Sequence, residues 1–519
     1  MNFKKTLLAA IISGSAVLAG CSDSDSHSSG STTEPNAQTA AQGESKNFWF
    51  NQGADAVTAA ANTAQIQTRA KNVILFVGDG MGISTTTAAR IFEGQTRGET
   101  GEENNLAWDT FPYTALSKTY NTDQQTPDSA GTMTAMMTGV KTDAGVIGVA
   151  EDVVRSDCAT VAGNELVSAV SLAEIAGKAT GVVSTARITH ATPAATYAVT
   201  PERNWEDDTK AQGGCEDIAS QLISFSAGDG IDVVMGGGRR HFIPAADGGR
   251  RGDGRNLPNE WLAGNGTRQY VTNKAGLEAV DVNATDKLLG LFSSSHMSYE
   301  ADRDDAEEPS LSEMTETAID MLSKDQDGYM LVVESGRIDH AHHAGNAYRA
   351  LTDAVEFSNA VKAAVEKVNL EDTLIIVTAD HSHVFTIAGY PKRGNPILGK
   401  VVGINDQEIL DENDQPYTTV GYMNGLGFAD LETGGDTRYG EAADAGRKDL
   451  TNVDTTDQGF HQEALVPLGS ETHAGEDVGI YATGPWAHLV QGTLEQNMIF
   501  HIINKATGLV ELADANTAP

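Results

Sequence analysis

Carboxylate and imidazole side chains are grouped at a few points in this sequence, and their spacing is suited to metal ions. Asp339 and His343 are four residues apart, so on a helix they share one face and can hold a single ion. Asp380 and His381 form an adjacent pair, and His473 lies far along the chain, where it could complete one of the sites. Nitrogen and oxygen donors without thiolates indicate catalytic zinc, whereas an all-oxygen set favours magnesium.

A candidate nucleophile is also visible. Ser129 precedes a stretch of small residues that ends near Gly139, and this pattern predicts a helix beginning at the serine. A helix amino terminus stabilises both an alkoxide and a phosphate through its free N–H groups. The alternative is that Ser129 is an ordinary helix cap. No Gly-x-Ser-x-Gly sequence surrounds it, so activation by a metal is favoured over a serine hydrolase triad.

Short apolar runs predict the strands that must position these groups. They alternate with helical patterns, including one over residues 351–368, which predicts an α/β fold with a mostly parallel sheet covered by helices on both faces. The runs are residues 73–77, 181–184, 231–235, 329–333 and 373–377. Asp79, Glu334 and Asp380 follow three of these strands at the edge where ligands bind in such sheets. A single aspartate there would usually be a turn former, but three strand ends bearing carboxylates indicate a site.

The composition restricts the class of protein. The 519 residues carry a formal net charge of −37, and 40% of them are hydrophobic, so the chain is globular and not disordered. This length fits about three domains, or one large domain with insertions. The acidity argues against a nucleic-acid partner, which requires clustered positive charge. Because this net negative charge repels anions, a site for an anionic substrate must carry its own metals or arginines.

The amino terminus resembles a bacterial lipoprotein signal. Lys4 and Lys5 precede an apolar stretch over residues 7–18, and Leu-Ala-Gly-Cys ends at Cys21. Residues 1–20 are predicted to be a signal peptide and Cys21 the lipidated residue, although a plain secretory signal with an incidental cysteine is the alternative. Residues 21–65 are predicted to be a flexible tether. We therefore expect an exported, membrane-anchored protein facing the periplasm or the cell surface.

Two further cysteines remain, Cys158 and Cys215. In an exported chain such a pair favours a disulfide over two free thiols.

Six motifs, in this order, resemble those of the alkaline phosphatase family. They are Val-Gly-Asp-Gly-Met-Gly at 77–82, Pro-Asp-Ser at 127–129, Thr-His-Ala-Thr-Pro at 189–193, Glu-x-x-Arg-Ile-Asp-His-x-His-His at 334–343, Thr-Ala-Asp-His-Ser-His at 378–383 and Glu-Thr-His-Ala-Gly at 471–475. The flanking sequence is more similar to the animal enzymes than to the enteric-bacterial type. In the animal enzymes a disulfide links the counterparts of the two cysteines, which strengthens that prediction.

The resemblance implies a centre of two zinc ions and one magnesium ion. The first zinc would be bound by Asp339, His343 and His473, and the second by Asp79, Asp380 and His381. Asp79 would also bridge to the magnesium, whose other protein ligands would be Thr192 and Glu334. His190 and His340 would lie just outside these ligands, with His190 reaching the magnesium through water.

The function implied by the resemblance is hydrolysis of phosphate monoesters through a phosphoserine at Ser129. Arg203 would hold two oxygens of the substrate phosphate. The rival functions are a phosphodiesterase or sulfatase of the same superfamily, and a lipid-anchored protein that keeps metal sites without catalysis. The presence of Ser129, Arg203, Thr192 and Glu334 together favours the monoesterase.

The resemblance also implies an organisation. Residues 66–519 would be the catalytic domain, with a crown-like insertion at 385–470, and the protein would be a homodimer by analogy. The extra calcium site of the animal enzymes is doubtful, because Ser293 stands where they carry a carboxylate. We expect His342 and His383 to face away from the metals, either just outside the metal ligands or on the surface. His241, His296, His461, His488 and His501 are expected to have no special role, and Trp108, Trp205 and Trp261 are expected to pack in the core.

Overall fold

The computed structural model describes residues 44, 46–427 and 447–517, which fall into two compact units divided between Thr63 and Ala64. In the first unit, helix α1 spans Phe48–Ala61. It is capped by Asn47, whose side chain accepts a hydrogen bond from the Trp49 N–H. This helix occupies the last part of the predicted tether over 21–65, where an alanine-rich segment with a capping asparagine favours a helix. The predicted signal peptide and Cys21 lie outside the described residues.

The second unit is built on a sheet of ten strands. In spatial order they are β15 (Gly492–Glu495), β2 (Tyr113–Lys118), β14 (Val478–Thr483), β8 (Thr373–Ala379), β1 (Asn72–Gly78), β7 (Tyr329–Ser335), β3 (Ala179–Arg187), β4 (Val233–Gly237), β6 (Lys287–Leu291) and β5 (Arg268–Val271). The seven strands from β8 to β5 run parallel, and β14 is antiparallel to both of its neighbours. The predicted mostly parallel α/β sheet is confirmed, and all five predicted strands are present.

Helices cover both faces of this sheet. They are α2 (Ile83–Thr96), α3 (Ser129–Thr138), α4 (Ala169–Ile175), α5 (Ala191–Ala194), α6 (Ile218–Ser224), α7 (Leu257–Leu262), α8 (Lys274–Glu278), α9 (Leu311–Leu322), α10 (Arg337–His343), α11 (Ala347–Lys367), α12 (Met498–Thr507) and α13 (Leu509–Thr517). Because alternate residues of β1 point to opposite faces, Leu75 packs in one apolar cluster and Phe76 in the other. The tryptophans at 108, 205 and 261 are buried, as expected.

Five short strands and a disulfide complete the unit. Strands β10 (Phe385–Ile387), β11 (Val420–Gly425) and β12 (Ala464–Pro467) form a small sheet within the predicted insertion, of which residues 428–446 lie outside the described part. Strand β9 (Ser382–His383) pairs with β13 (His473–Ala474). Cys158 and Cys215 are joined by a disulfide. None of the helices in the described ranges is long and apolar enough to cross a membrane.

The register of the parallel strands aligns the predicted ligand positions. Gly78 at the end of β1 pairs with Ser335 of β7 on one side and with Ala379 of β8 on the other. The residues that follow, Asp79 and Asp380, therefore leave the sheet at the same level. The carboxyl edge of the sheet is where the site is assembled.

The opposite edge carries a buried acid. Glu174 of α4 is 4% exposed, and its carboxylate accepts a hydrogen bond from the Thr180 hydroxyl of β3. Burial, with a smaller effect of nearby Asp232, raises the pKa of Glu174 to about 8, against the opposing effects of the Thr180 hydrogen bond and of Lys287. The folded protein therefore binds a proton here that an unfolded chain has already released at neutral pH.

We predict that this proton makes stability depend on alkaline pH. Between the ordinary pKa of 4.5 and the raised value of about 8, the contribution of Glu174 to the free energy of unfolding falls as pH rises. Glu174→Gln should remove this fall, so the variant gains stability relative to the natural protein between about pH 5 and pH 9. Urea midpoints across this range measure the effect, with the exposed Glu278→Gln as control. Parallel pH profiles for the natural protein and the Glu174→Gln variant would contradict the prediction.

Candidate metal centre and active site

One group of side chains has the geometry of a tetrahedral metal site. The Nε2 atoms of His343 and His473 each lie 3.3 Å from Oδ1 of Asp339 and 3.1 Å from each other. Three ligands on a tetrahedral zinc, with bonds of about 2.0 Å, lie about 3.3 Å apart. Asp339 and His343 are on α10, one turn apart as the sequence predicted, and His473 comes from β13.

Hydrogen bonds to Nδ1 hold the imidazoles of His343 and His473 so that Nε2 of each is free to bind a metal ion. Nδ1 of His343 donates to the Glu471 carbonyl at 2.6 Å, and Nδ1 of His473 donates to the Pro127 carbonyl at 2.8 Å. These bonds fix the tautomer in which Nε2 carries a lone pair directed at the site. Burial lowers the pKa of His343, and the neighbouring His383 and His473 lower it further, which favours the neutral form that binds metal.

A second group lies beside the first. Nε2 of His381 is 3.4 Å from Oδ1 of Asp79, 3.4 Å from Oδ2 of Asp380 and 3.0 Å from Oγ of Ser129. The other oxygen of Asp380 accepts the Gly80 N–H at 3.0 Å and the His381 N–H at 2.9 Å, which turns Oδ2 toward the group. The candidate nucleophile therefore stands among ligands of the kind that bind zinc.

A third group is dominated by oxygen. Ligand atoms of Asp79, Glu334 and His190 lie within 4.8 Å of one another. Among the described residues, both carboxylate oxygens of Asp79, Oε1 of Glu334 and the Thr192 hydroxyl are buried without a hydrogen-bond partner. Buried polar atoms left in this way are costly, and a hard cation would satisfy all of them.

The negative charge of the buried carboxylates at this centre favours the binding of cations. Burial raises the pKa of Asp79, Glu334 and Asp380, and each is raised further by a neighbouring carboxylate, so that Glu334 has a pKa of about 8. Asp339 is the exception, because His343, His383 and His473 hold its pKa well below the ordinary value against the effect of burial. Bound divalent ions would displace the protons from these carboxylates and would offset the repulsion between their negative charges.

Helix α3 brings the nucleophile and the arginine together. Asp128 caps the helix, its carboxylate accepting from the N–H groups of Gly131 at 3.1 Å and Gly145 at 2.9 Å. The same carboxylate accepts from Nη1 of Arg203 at 2.9 Å. The guanidinium is thereby placed next to Ser129 at the positive end of the helix, where an anion is favoured.

Every predicted metal, nucleophile and phosphate-binding residue within the described part is found at this edge, but His383 and His296 differ from expectation. His383 does not face away, since its Nε2 bonds Oδ1 of Asp339 at 2.7 Å and its Nδ1 bonds Glu471 at 2.5 Å. Glu471 and Asp339 together raise the pKa of His383 to about 10, against the effect of its burial. The signal was available, because residues 381 and 383 are two apart on an extended segment and share a face.

His342 is fully buried and bonds the Thr85 hydroxyl at 2.9 Å and the Tyr422 hydroxyl at 2.8 Å. Its ring packs against that of His383, so it lies outside the ligands, which is one of the two places expected for it.

His296, expected to have no special role, packs against both His190 and His340, with ring centroids 5.2 Å and 4.0 Å away, and these two rings are 5.3 Å apart. It comes from the loop after β6, which carries no local motif. Sequence patterns could not have placed it in the site.

The family model that matches this sequence is that of alkaline phosphatase, and it covers residues 70–509. This chain belongs to the alkaline phosphatase family. The alkaline phosphatase of Gadus morhua is 44% identical over 451 residues, covering 83% of this chain and 91% of the relative. The tissue-nonspecific isozyme of Rattus norvegicus is 42% identical over 480 residues, covering 89% of this chain and 88% of the relative.

Solved structures agree with this assignment. The alkaline phosphatase of the Antarctic bacterium TAB5 superposes with a TM-score of 0.60 at 25% identity, covering 85% of this chain and 99% of that one. The Thermus thermophilus enzyme gives a TM-score of 0.62 at 24% identity, covering 87% and 94%, and supports the fold. The chain is therefore an enzyme of a metal-dependent family that hydrolyses phosphate monoesters, and that predicted activity is confirmed over its rivals.

We predict that loading the metal-free protein with its ions releases protons. The pKa of about 8 keeps Glu334 mostly protonated at neutral pH without metal, and burial raises the pKa of Asp79 in the same direction. Zinc and magnesium bind the carboxylates, so at least about one proton per chain should be released at pH 7 and less at pH 9. Calorimetry in buffers of different ionisation enthalpy measures the number. Glu334→Gln should reduce it, and pH-independent binding would contradict the prediction.

Proposed function

We propose that Ser129 is the nucleophile of the hydrolysis and that the three groups of ligands hold two zinc ions and one magnesium ion. The observation that carries the proposal is the contact of the Ser129 hydroxyl with His381, beside Asp79 and Asp380 and at the start of a helix. A buried serine in this position lies beside groups that would hold an ion able to stabilise its alkoxide, and at a helix amino terminus that favours the incoming phosphate.

The assignment of ions follows the donor sets. Two imidazoles and a carboxylate from Asp339, His343 and His473 suit the first zinc, and the mixed set of Asp79, Asp380 and His381 suits the second. The oxygens of Asp79, Thr192 and Glu334 suit magnesium. When bound, such ions stabilise the serine alkoxide, the leaving oxygen and the attacking water.

The chain's own groups perform two displacements at phosphorus. Oγ of Ser129 loses its proton and forms a bond to phosphorus while the bond to the ester oxygen breaks, and that oxygen takes up a proton to leave as the alcohol. Water then loses a proton and forms the new bond to phosphorus as the bond to Oγ breaks, and Oγ takes up a proton, which releases inorganic phosphate and restores the serine hydroxyl.

Arg203 is proposed to hold the phosphate through both displacements. Its guanidinium is anchored by Asp128 and lies 3.3 Å from Nε2 of His190, so it is fixed before substrate arrives. The planar guanidinium group of Arg203 can bind two oxygens at once, which favours the dianionic phosphoryl group of a monoester. His190 and His340 are proposed to lie just beyond the metal ligands.

The proposal extends to location and assembly. We infer an exported lipoprotein anchored through Cys21, with residues 1–20 removed, a link at 21–65 and a catalytic domain at 66–519 that carries the insertion at 385–470. The Cys158–Cys215 disulfide supports an oxidising compartment. A homodimer is proposed by family analogy.

We predict that Ser129→Ala lowers the turnover of an aryl phosphate monoester by at least about 1,000-fold, because the covalent route is lost. Brief incubation with ³²P-labelled substrate followed by acid quenching should label the natural protein on Ser129 and leave the variant unlabelled. Ser117→Ala is the matched control, since Ser117 is equally buried but lies on β2. Full activity in the Ser129 variant would overturn the proposal.

A further inference from the structure

Two arginines on the segment after strand β4 lack the acidic partners that their neighbours have. Residues 236–256 contain five arginines and two aspartates, a formal charge of +3 in a chain of −37. Arg251 pairs with an aspartate at 2.9 Å, and Arg255 pairs with a glutamate at 2.6 Å. In the part of the chain that the structure describes, no carboxylate lies within ion-pair distance of Arg240 or Arg250. Because acids are in large excess overall, positive charge left unpaired here favours an external anion.

Arg240 is held in place with its outer nitrogens free. Its Nε donates to Nε2 of His241 at 3.2 Å, and Nδ1 of that imidazole donates to Asp207 at 2.6 Å. Within the described ranges, no group accepts a hydrogen bond from Nη1 or Nη2 of this half-buried arginine. Burial lowers the pKa of Arg240, and the charges of Arg250 and Arg187 lower it further, while nearby carboxylates oppose the shift. A bound anion would offset the repulsion between these guanidinium groups.

Backbone hydrogen bonds join the segment after β4 to the loop after β6. The Arg240 N–H donates to the Ser294 carbonyl at 3.2 Å. Arg250 returns over the same place, because its N–H donates to the Arg240 carbonyl at 2.7 Å. His296 follows two residues after Ser294 on the joined loop. The two unpaired arginines and His296 therefore belong to one hydrogen-bonded surface.

Two imidazoles connect this surface to the proposed phosphate site. Nη2 of Arg203 lies 3.3 Å from Nε2 of His190, whose ring centroid is 5.2 Å from that of His296. On its other side, His296 contacts Nη1 of Arg187 through Nε2. The charge of Arg187 is matched by Glu206, which lies 2.6 Å from its Nε. The anion-binding capacity beyond these rings therefore belongs to the unpaired arginines.

The leaving-group side of the site borders the same surface. His340 directly follows Asp339, a proposed ligand of the first zinc, and its ring centroid is 4.0 Å from that of His296. The strand order continues the path, because Arg187 at the end of β3 is paired with Gly237 at the end of β4. Neighbouring strands are about 5 Å apart, so the segment after β4 leaves the sheet beside Arg187. An alcohol that extends from the site in this direction meets positive charge.

We propose that Arg240 and Arg250 bind a second phosphate of the substrate, so that the enzyme prefers phosphate monoesters whose alcohol carries a further phosphate group. The inference rests on the proposed place of the reacting phosphate at Ser129 and Arg203. A guanidinium group binds two phosphate oxygens at once, and a dianion matches the charge of two arginines. In this orientation only the phosphate at Ser129 is cleaved, and the product alcohol keeps the other.

Steady-state kinetics with a matched pair of substrates test the proposal. Hexane-1,6-diol bisphosphate and hexane-1,6-diol monophosphate differ only in the second phosphate, and release of inorganic phosphate is followed at low conversion. For the natural protein, KM should be about 10-fold lower for the bisphosphate with kcat nearly equal, because the added contact is the same in the ground state and the transition state. This exceeds the factor of about two that equivalent ends give. The preference should shrink at high salt.

Glutamine variants separate the proposed contact from the reaction itself. Arg240→Gln and Arg250→Gln should each raise KM for the bisphosphate by about 3-fold or more, toward the value for the monophosphate. Both should leave the kinetics of 4-nitrophenyl phosphate unchanged, since that substrate has no second anionic group. Arg268→Gln is the matched control, because Arg268 packs on Trp261 at the start of β5, at the opposite edge of the sheet.

Three results would overturn the proposal. The first is a natural protein whose preference for the bisphosphate does not exceed about two-fold. The second is a preference that survives in the double variant Arg240→Gln/Arg250→Gln. The third is an equal loss in Arg268→Gln, which would reveal long-range attraction without a site. A natural protein that does not hydrolyse 4-nitrophenyl phosphate would instead refute the proposed function, and with it the place of the reacting phosphate.

Discussion

The structure depends on the convergence of buried carboxylates at one edge of the sheet. Asp79, Glu334 and Asp380 are almost completely buried, and burial together with neighbouring carboxylates raises the pKa of each, so without partners they would destabilise the fold or bind protons. About six positive charges from three divalent ions would satisfy them together with the carboxylate of Asp339. The charge balance links folding to function, because the ions that stabilise the edge also create an environment for a phosphate anion.

The parallel sheet is what makes this convergence possible. Strands β1, β7 and β8 are hydrogen-bonded neighbours in register, so residues more than 250 positions apart leave the sheet side by side. The nucleophile comes from a helix and His473 from a small separate sheet, and the bond from Nδ1 of His473 to the Pro127 carbonyl ties the two together. With the proposed ions bound, a net charge of −37 would be compatible with an anion site, since the outer surface and the pocket would differ in sign.

Much of this was predictable from the sequence, and the exceptions have physical reasons. The strands were clear as apolar runs, and their carboxyl ends carried Asp79, Glu334 and Asp380. His383 was misplaced because spacing within a motif was considered without the period of two that brings it alongside His381. His296 could not be found, since its partners are fixed by tertiary packing and no pattern around it refers to them. Helix α1 was missed because composition suggested a tether where capping and alanine content favour a helix.

Anomalous diffraction from a crystal equilibrated with zinc and magnesium tests the central claim most directly. Data collected on both sides of the zinc absorption edge locate zinc without reference to activity. We expect two zinc peaks, one bounded by Asp339, His343 and His473 and the other by Asp79, Asp380 and His381. The site of Asp79, Thr192 and Glu334 should show density without a zinc signal. Zinc centred among His190, His296 and His340, or none near the carboxylates, would contradict the account.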